Sequence, residues 1–242
     1  MGVGSLRARR AAISAVLGAA LSACATGAPP DPPAGSATAW GFVRLVPREG
    51  VEPRAPGPSS PYADPALRDV ELVDYTRPGF AVVYLEGTPS PGGSASFQIR
   101  DGPLRPYLEP EHAAVGVGGT LRVRNASAGA HLLSLPDLDL VRRLEPGEAL
   151  EIELPEAGEQ ALFLLDAPAE LGRLFVAPGR FAVASEGGRF ELRELPPGHL
   201  RLHAWHPRFP PSSRDLELVP GRAVRVDLEL GVGTLAERGP DE

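Results

Sequence analysis

An all-β fold, built as one large sandwich followed by a small one, is what this sequence predicts, on three observations. Short apolar alternations recur along the chain, bounded by Gly and Pro at the spacing expected of a sandwich. The 28 Gly and 28 Pro among 242 residues suit a chain that turns often. No long stretch carries a helical period; only residues 168–171 invite a single helical turn.

The N-terminus reads as a targeting segment. Arg7, Arg9 and Arg10 precede an uncharged run from 11 to 20, too short to span a bilayer core as a helix. The run ends in Leu21-Ser22-Ala23-Cys24. This resembles the bacterial lipobox: an aliphatic residue, two small ones, then cysteine. The resemblance implies a signal peptide over 1–23, cleavage between Ala23 and Cys24, and lipidation of Cys24, with the membrane as a partner. Ala25, in place of the Asp that retains lipoproteins in the inner membrane, favours the outer membrane, facing the periplasm or the cell surface. The remaining chain carries 21 Arg, no Lys, and 31 acids, a formal charge of −10. An acidic chain argues against a nucleic-acid partner. A lone cysteine excludes an intramolecular disulfide and a zinc site built on several cysteines.

Residues 24–39, rich in Ala, Gly and Pro, read as a flexible tether. A first domain is expected over 40–178, with a Pro-rich loop at 53–65. A second follows over 179–232, and 233–242 form a disordered tail. Candidate strands of the first domain are 42–46, 70–75, 80–86, 96–100, 113–117, 120–124, 149–154, 160–165 and 174–176. Those of the second are 181–184, 189–193, 199–205, 214–218 and 223–230. The last is the cleanest: Val224, Val226, Leu228 and Leu230 share one face, and Arg225, Asp227 and Glu229 the other.

Gly118-Gly119 opens a strand that ends at Asn125; His131 follows, then the turns Pro146-Gly147-Glu148 and Pro155-Glu156. In this order, with Ala81-Val82-Val83-Tyr84-Leu85-Glu86-Gly87 upstream, the segment 78–178 resembles the plastocyanin-like cupredoxins of the methylamine-utilisation type. The resemblance implies a Greek-key sandwich and a copper site whose first histidine is His131. The return strand departs from the family. Leu164 stands at the cysteine position, Ala167 at the second histidine, and Glu170 or Leu171 at the methionine, while Pro168 is kept. A type 1 copper needs two imidazoles and a thiolate. The expectation is therefore a cupredoxin-like fold with no metal and no cofactor. Asn125, the chain's only Asn, is expected to pin the loop carrying His131; Asn125-Ala126-Ser127 also spells a glycosylation sequon.

From Gly179, a strand, Gly187-Gly188 and a second strand lead to Leu195-Pro196-Pro197-Gly198, then to Trp205-His206. This is similar to carboxypeptidase-regulatory-like domains, small transthyretin-type sandwiches. Gly187-Gly188 should supply positive φ in a hairpin. About 50 residues is thin for such a sandwich. Either 42–46 or 70–75 completes it, or it docks on the first domain.

His199, His203 and His206 tempt a metal reading. In an extended strand, however, the first two rings lie about 13 Å apart, and His206 points to the other face. No nucleophile motif appears, and Asp137, Asp139 and Asp166 lie on loops where carboxylates are usually solvated. The main expectation is a non-enzymatic envelope protein whose degenerate domain binds or scaffolds, with an envelope protein or a glycan as partner. A copper carrier using His131 with His112 is the alternative; a hydrolase with an unrecognised Ser/His or carboxylate cluster is the third reading.

Overall fold

The computed structural model describes residues 27–47, 73–167 and 170–231. The expected signal peptide, the cleavage and lipidation positions Ala23 and Cys24, the loop 53–65 and the tail 233–242 lie outside them. The strands in chain order are β1 (Ala37–Val46), β2 (Val82–Leu85), β3 (Ser94–Arg100), β4 (Tyr107–Glu109), β5 (His112–Gly116), β6 (Gly119–Asn125), β7 (His131–Leu135), β8 (Leu140–Leu144) and β9 (Ala149–Leu154). They continue with β10 (Gly158–Leu164), β11 (Glu170–Ala177), β12 (Phe181–Val183), β13 (Arg189–Leu195), β14 (Gly198–His206), β15 (Phe209–Leu218), β16 (Ala223–Arg225) and β17 (Leu228–Gly231). Among the described residues the only helical element is a 3-10 turn, Pro136–Leu138.

Alternation sets the faces of the first sandwich. Its sheets run β5-β11-β10-β7-β8 and β4-β3-β6-β9. Inward residues at every second position, such as Phe97 and Ile99, Leu121 and Val123, and Leu162 and Leu164, fill the core between them. Each such side chain contributes about 1.5–3 kcal/mol by leaving water. β7 and β8 carry no alternation that marks them, the first reading His-Leu-Leu-Ser-Leu and the second Leu-Val-Arg-Arg-Leu. They pair as an antiparallel ribbon, with His131 opposite Leu144.

The second sandwich is not the C-terminal segment alone. Its sheets are β13-β1-β16, with β17 also on β1, and β12-β2-β14-β15. The boundary placing 40–178 in the first domain therefore fails on its N-terminal side. β1, β2 and the residue just before β2 bury Ala37, Ala39, Val43, Leu45, Ala81, Val83 and Leu85 in the same core as Phe190, Leu202 and Leu228. The short C-terminal segment lacks the strands to cover both faces, and the chain that precedes the first sandwich supplies them. The first sandwich is thus nested between β2 and β12.

Three local expectations also change. The tether is not free from Gly27 onward. Arg189 donates to the Gly27 carbonyl at 2.9 Å, Ala223 N–H to Asp31 at 3.0 Å, and Gly221 N–H to the Ser36 carbonyl at 2.7 Å. The described part of 70–75 is a turn, closed by Asp74 accepting from the Thr76 amide and hydroxyl. Residue 170 already belongs to β11 and not to a helical turn.

Gly187-Gly188 does not close a hairpin, because β12 pairs with β2 while β13 pairs with β1. The turn carries the chain from one sheet to the other, and Gly188 alone takes a positive φ, 81°. The candidate strand 223–230 is broken near Val226 into β16 and β17, each parallel to a different half of β1. At that break a Cβ on Gly41 would overlap the Val226 carbonyl.

The two sandwiches meet through an aromatic stack. Phe175 lies 4.8 Å from Trp205 and 5.1 Å from Tyr84, centroid to centroid. Trp205 Nε1 donates to Glu159 at 3.1 Å; Arg173 donates to the other Glu159 oxygen at 2.6 Å and to the Pro207 carbonyl at 2.8 Å.

Candidate functional site

The turn between β6 and β7 is organised by one side chain. Asn125 is fully buried. Its Nδ2 donates to the carbonyls of Gly129 (2.7 Å) and Leu144 (2.9 Å), and its Oδ1 accepts from the Ser127 amide (3.0 Å) and hydroxyl (2.6 Å). An amide has the two donors and two lone pairs this needs, and no other side chain of that size has both. The turn therefore delivers His131, at the start of β7, in a fixed position.

His131 is itself buried, and both ring nitrogens face oxygen. Nδ1 lies 2.5 Å from Asp166 Oδ2, and Nε2 lies 2.9 Å from Ser127 Oγ. The register explains the first contact. β10 pairs with β7 so that Phe163 opposes Ser134 and Leu164 opposes Leu133. Counted two residues past Leu164, just beyond the end of β10, position 166 comes level with His131. Leu164 and Ala167 are both buried in the core of the first sandwich. Asp166 turns the other way, half-exposed and onto the imidazole.

This set does not fit a copper ion. At the positions the cupredoxin resemblance assigns to thiolate and second imidazole stand two buried aliphatic side chains, which offer no lone pair. The one imidazole spends both nitrogens within the chain. His112 cannot join it. It lies three strands away in the same sheet, displaced by about five residues along the strands, a separation of about 20 Å. Among the described residues no three His, Cys, Asp or Glu side chains converge as a metal site.

Ser127, His131 and Asp166 have the connectivity of a hydrolytic triad. The serine lacks the freedom that role requires. It is buried, and the shortest contact of its hydroxyl is to Asn125 Oδ1, which takes its single hydrogen. The Ser127 oxygen then serves as acceptor for His131 Nε2. The sequence named Ser127 only within a sequon and Asp166 only as a loop carboxylate expected to be solvated; the structure places both on His131. The signal for the first was Asn-x-Ser, a side chain two residues on that can close an Asx turn. For the second there was none, since its partner is fixed only by strand register.

The other histidines are dispersed. His199 is exposed beside Glu217 at 3.9 Å. His203 stacks on Tyr84 at 5.0 Å and lies 3.9 Å from Glu86; burial lowers its pKa, partly offset by that carboxylate. His206 donates from Nε2 to the Pro78 carbonyl at 3.0 Å and accepts the Arg208 amide on Nδ1 at 3.0 Å. Burial, chiefly, pushes its pKa down to about 4. It lines a cleft of about 270 Å³ at the junction of the sandwiches, together with His112, Glu111, Arg77 and Arg208.

No family model matches the chain, and no curated protein matches it. Among solved structures it is similar to a novel purple cupredoxin from Nitrosopumilus maritimus, at 20% identity over 34% of this chain and 99% of that chain, with a TM-score of 0.31. It is similar to an oxidised mutant of amicyanin at 18% identity, over 39% and 97% of the two chains, with a TM-score of 0.29. A chain of a heme-copper terminal oxidase dimer is similar at 13% identity over 38% and 71%, with a TM-score of 0.29.

Proposed function

We propose that this chain is a lipid-anchored, non-enzymatic protein of the bacterial cell envelope. Its first sandwich is a cupredoxin-like body that has given up its metal and serves as a binding or scaffolding module. The second sandwich is regulatory-like and carries the anchor. The observation that bears most weight is the double engagement of His131. Asp166 engages one ring nitrogen and Ser127 the other, so the imidazole has no nitrogen left over for an ion. The lipobox Leu21-Ser22-Ala23-Cys24 supports the anchor, and the Gly188 and Pro196-Pro197-Gly198 turns support the regulatory-like reading.

Two measurements test this. Protein purified from an envelope fraction is expected to hold no stoichiometric metal by elemental analysis. Titration with one equivalent of Cu(II) should then give no charge-transfer band and only the EPR spectrum of unbound copper, and added Cu(I) should be lost on dialysis. One tightly held copper per chain refutes the metal-free reading. Mass spectrometry of the mature N-terminus should show an acylated Cys24; an unmodified cysteine or cleavage elsewhere refutes the anchor.

A further inference from the structure

We infer that the outer face of the β13-β1-β16 sheet lies against anionic phospholipid headgroups, an assignment that rests on the lipidation of Cys24 proposed above. The first ground is reach. Gly27 is held by Arg189, whose guanidinium sits 5.6 Å from the Trp40 ring centroid on the outer face of β1. Cys24 is three residues upstream, and three residues span at most about 11 Å. An acylated Cys24 therefore keeps Gly27 within about 11 Å of the lipidated residue, and the face that Arg189 joins to Gly27 is the part of the described chain tethered nearest the bilayer.

The second ground is the chemistry of the face. Arg225 covers both Trp40 (5.4 Å) and Phe42 (5.7 Å) and shares Asp227 with Arg44, and Arg222 pairs with Asp31. Acids are present too: Asp31, Glu191, Asp227 and Glu229. Arg189 and Glu191 are equally covered, at 22% and 21% exposure, but Arg44 and Arg225 reach farther out than the acid between them. Arg44 and Arg225 are 60% and 52% exposed, against 27% for the Asp227 they share. Arginines over aromatic rings, stems on apolar surface and heads outward, suit a phosphate layer.

The third ground is charge asymmetry. Residues 94–177, the first sandwich, carry seven Arg against thirteen Asp and Glu. Residues 27–47, 73–93 and 178–231, the second sandwich, carry ten of each. An anionic surface repels the acidic body and tolerates the neutral one, so the field favours the same orientation as the anchor.

The test uses the full mature chain from Cys24. Its single thiol is coupled to a maleimide lipid in vesicles of roughly three parts phosphatidylcholine to one part phosphatidylglycerol. Arginine modification by phenylglyoxal is read residue by residue from peptide masses. Modification of Arg44, Arg222 and Arg225 should slow about fivefold relative to uncoupled protein, while Arg100 and Arg142 on the first sandwich keep their rates. The slowing should vanish on pure phosphatidylcholine. No slowing, slowing that is equal on phosphatidylcholine, or slowing that includes Arg100 and Arg142 overturns the inference. So does slowing without vesicles that grows with protein concentration, which would assign the face to a second copy. Because the lipid is attached chemically, a failure here is distinct from finding native Cys24 unacylated.

Discussion

Asn125→Ala removes a fully buried side chain that makes four hydrogen bonds. The Ser127 hydroxyl, released from Asn125, can turn to the Gly129 carbonyl 3.0 Å away, but the Leu144 carbonyl and the Ser127 amide lose this partner inside the protein. Leaving a buried backbone group unsatisfied costs about 1–3 kcal/mol each, and the small cavity adds to that. The expected loss is about 4 kcal/mol, a large part of the stability of a domain this size. Urea unfolding followed by β-sheet circular dichroism should show the midpoint falling with an unchanged slope. Asn125→Asp discriminates further. It keeps the shape but turns an oxygen toward two carbonyls, and burial in that setting raises its pKa. A raised carboxyl favours the folded state only where it is protonated. The deficit of the variant relative to wild type should therefore be smallest below about pH 4, grow as pH rises through the unfolded value, and level off only above the raised value of the folded state. A loss under about 1 kcal/mol for Ala, or a deficit for Asp that does not change with pH, refutes the view that this amide organises the turn.

His206 has a pKa near 4 in the fold and an ordinary value near 6.5 when unfolded, so the unfolded chain binds the extra proton first. Stability should hold above pH 6.5 and fall by at most about 3 kcal/mol as pH drops to 4; His206→Gln should flatten that slope in thermal melts. Gly41→Ala should abolish soluble folded protein or lower stability by more than about 3 kcal/mol, since the new methyl overlaps backbone that cannot give way; wild-type stability would show that β16 and β17 do not crowd β1 there. Trp205→Ala empties the stack on Phe175 and should split a common melt into two transitions, one per sandwich, seen by calorimetry. Asp166→Ala should leave copper affinity absent, because Leu164 and Ala167 offer no donor atoms; a gain of one tightly bound copper would show that Asp166 alone blocks a competent site.

Strands whose alternation survives one-sided burial, such as those around Phe97, Leu121 and Leu162, are legible in the sequence. β7 and β8 are not. His131, Leu133, Ser134 and Leu135 are all buried, and Val141, Arg142 and Arg143 are all exposed at a sheet edge, so neither strand reads with period two. Alternation also reports which side chains face inward, never which strand lies alongside. That is why β1 and β2 read as part of the segment they precede, although they pair with strands more than 100 residues away. At the site, the residue types that rule out a copper thiolate are written in the chain. The Asp166 contact is not, since it arises from the β10 to β7 register and a bend that sends Ala167 inward and Asp166 outward.

The nesting of one sandwich inside the other leaves the two ends of the inner one side by side. The Gly92 carbonyl accepts from Gly116, the Ala177 carbonyl accepts from Val117, and Arg180 N–H donates to Thr88 Oγ1 just outside. The inner body thus enters and leaves through a single doorway, like a cassette spliced into a loop. A chain joined directly from Thr88 to Gly179 keeps every strand of the outer sandwich, so one half of the molecule can be deleted, swapped or circularly rearranged without cutting the other. During synthesis the order is reversed: the cassette can close as soon as Ala177 is made. The outer sandwich must wait for Leu228–Gly231 to reach its oldest strand.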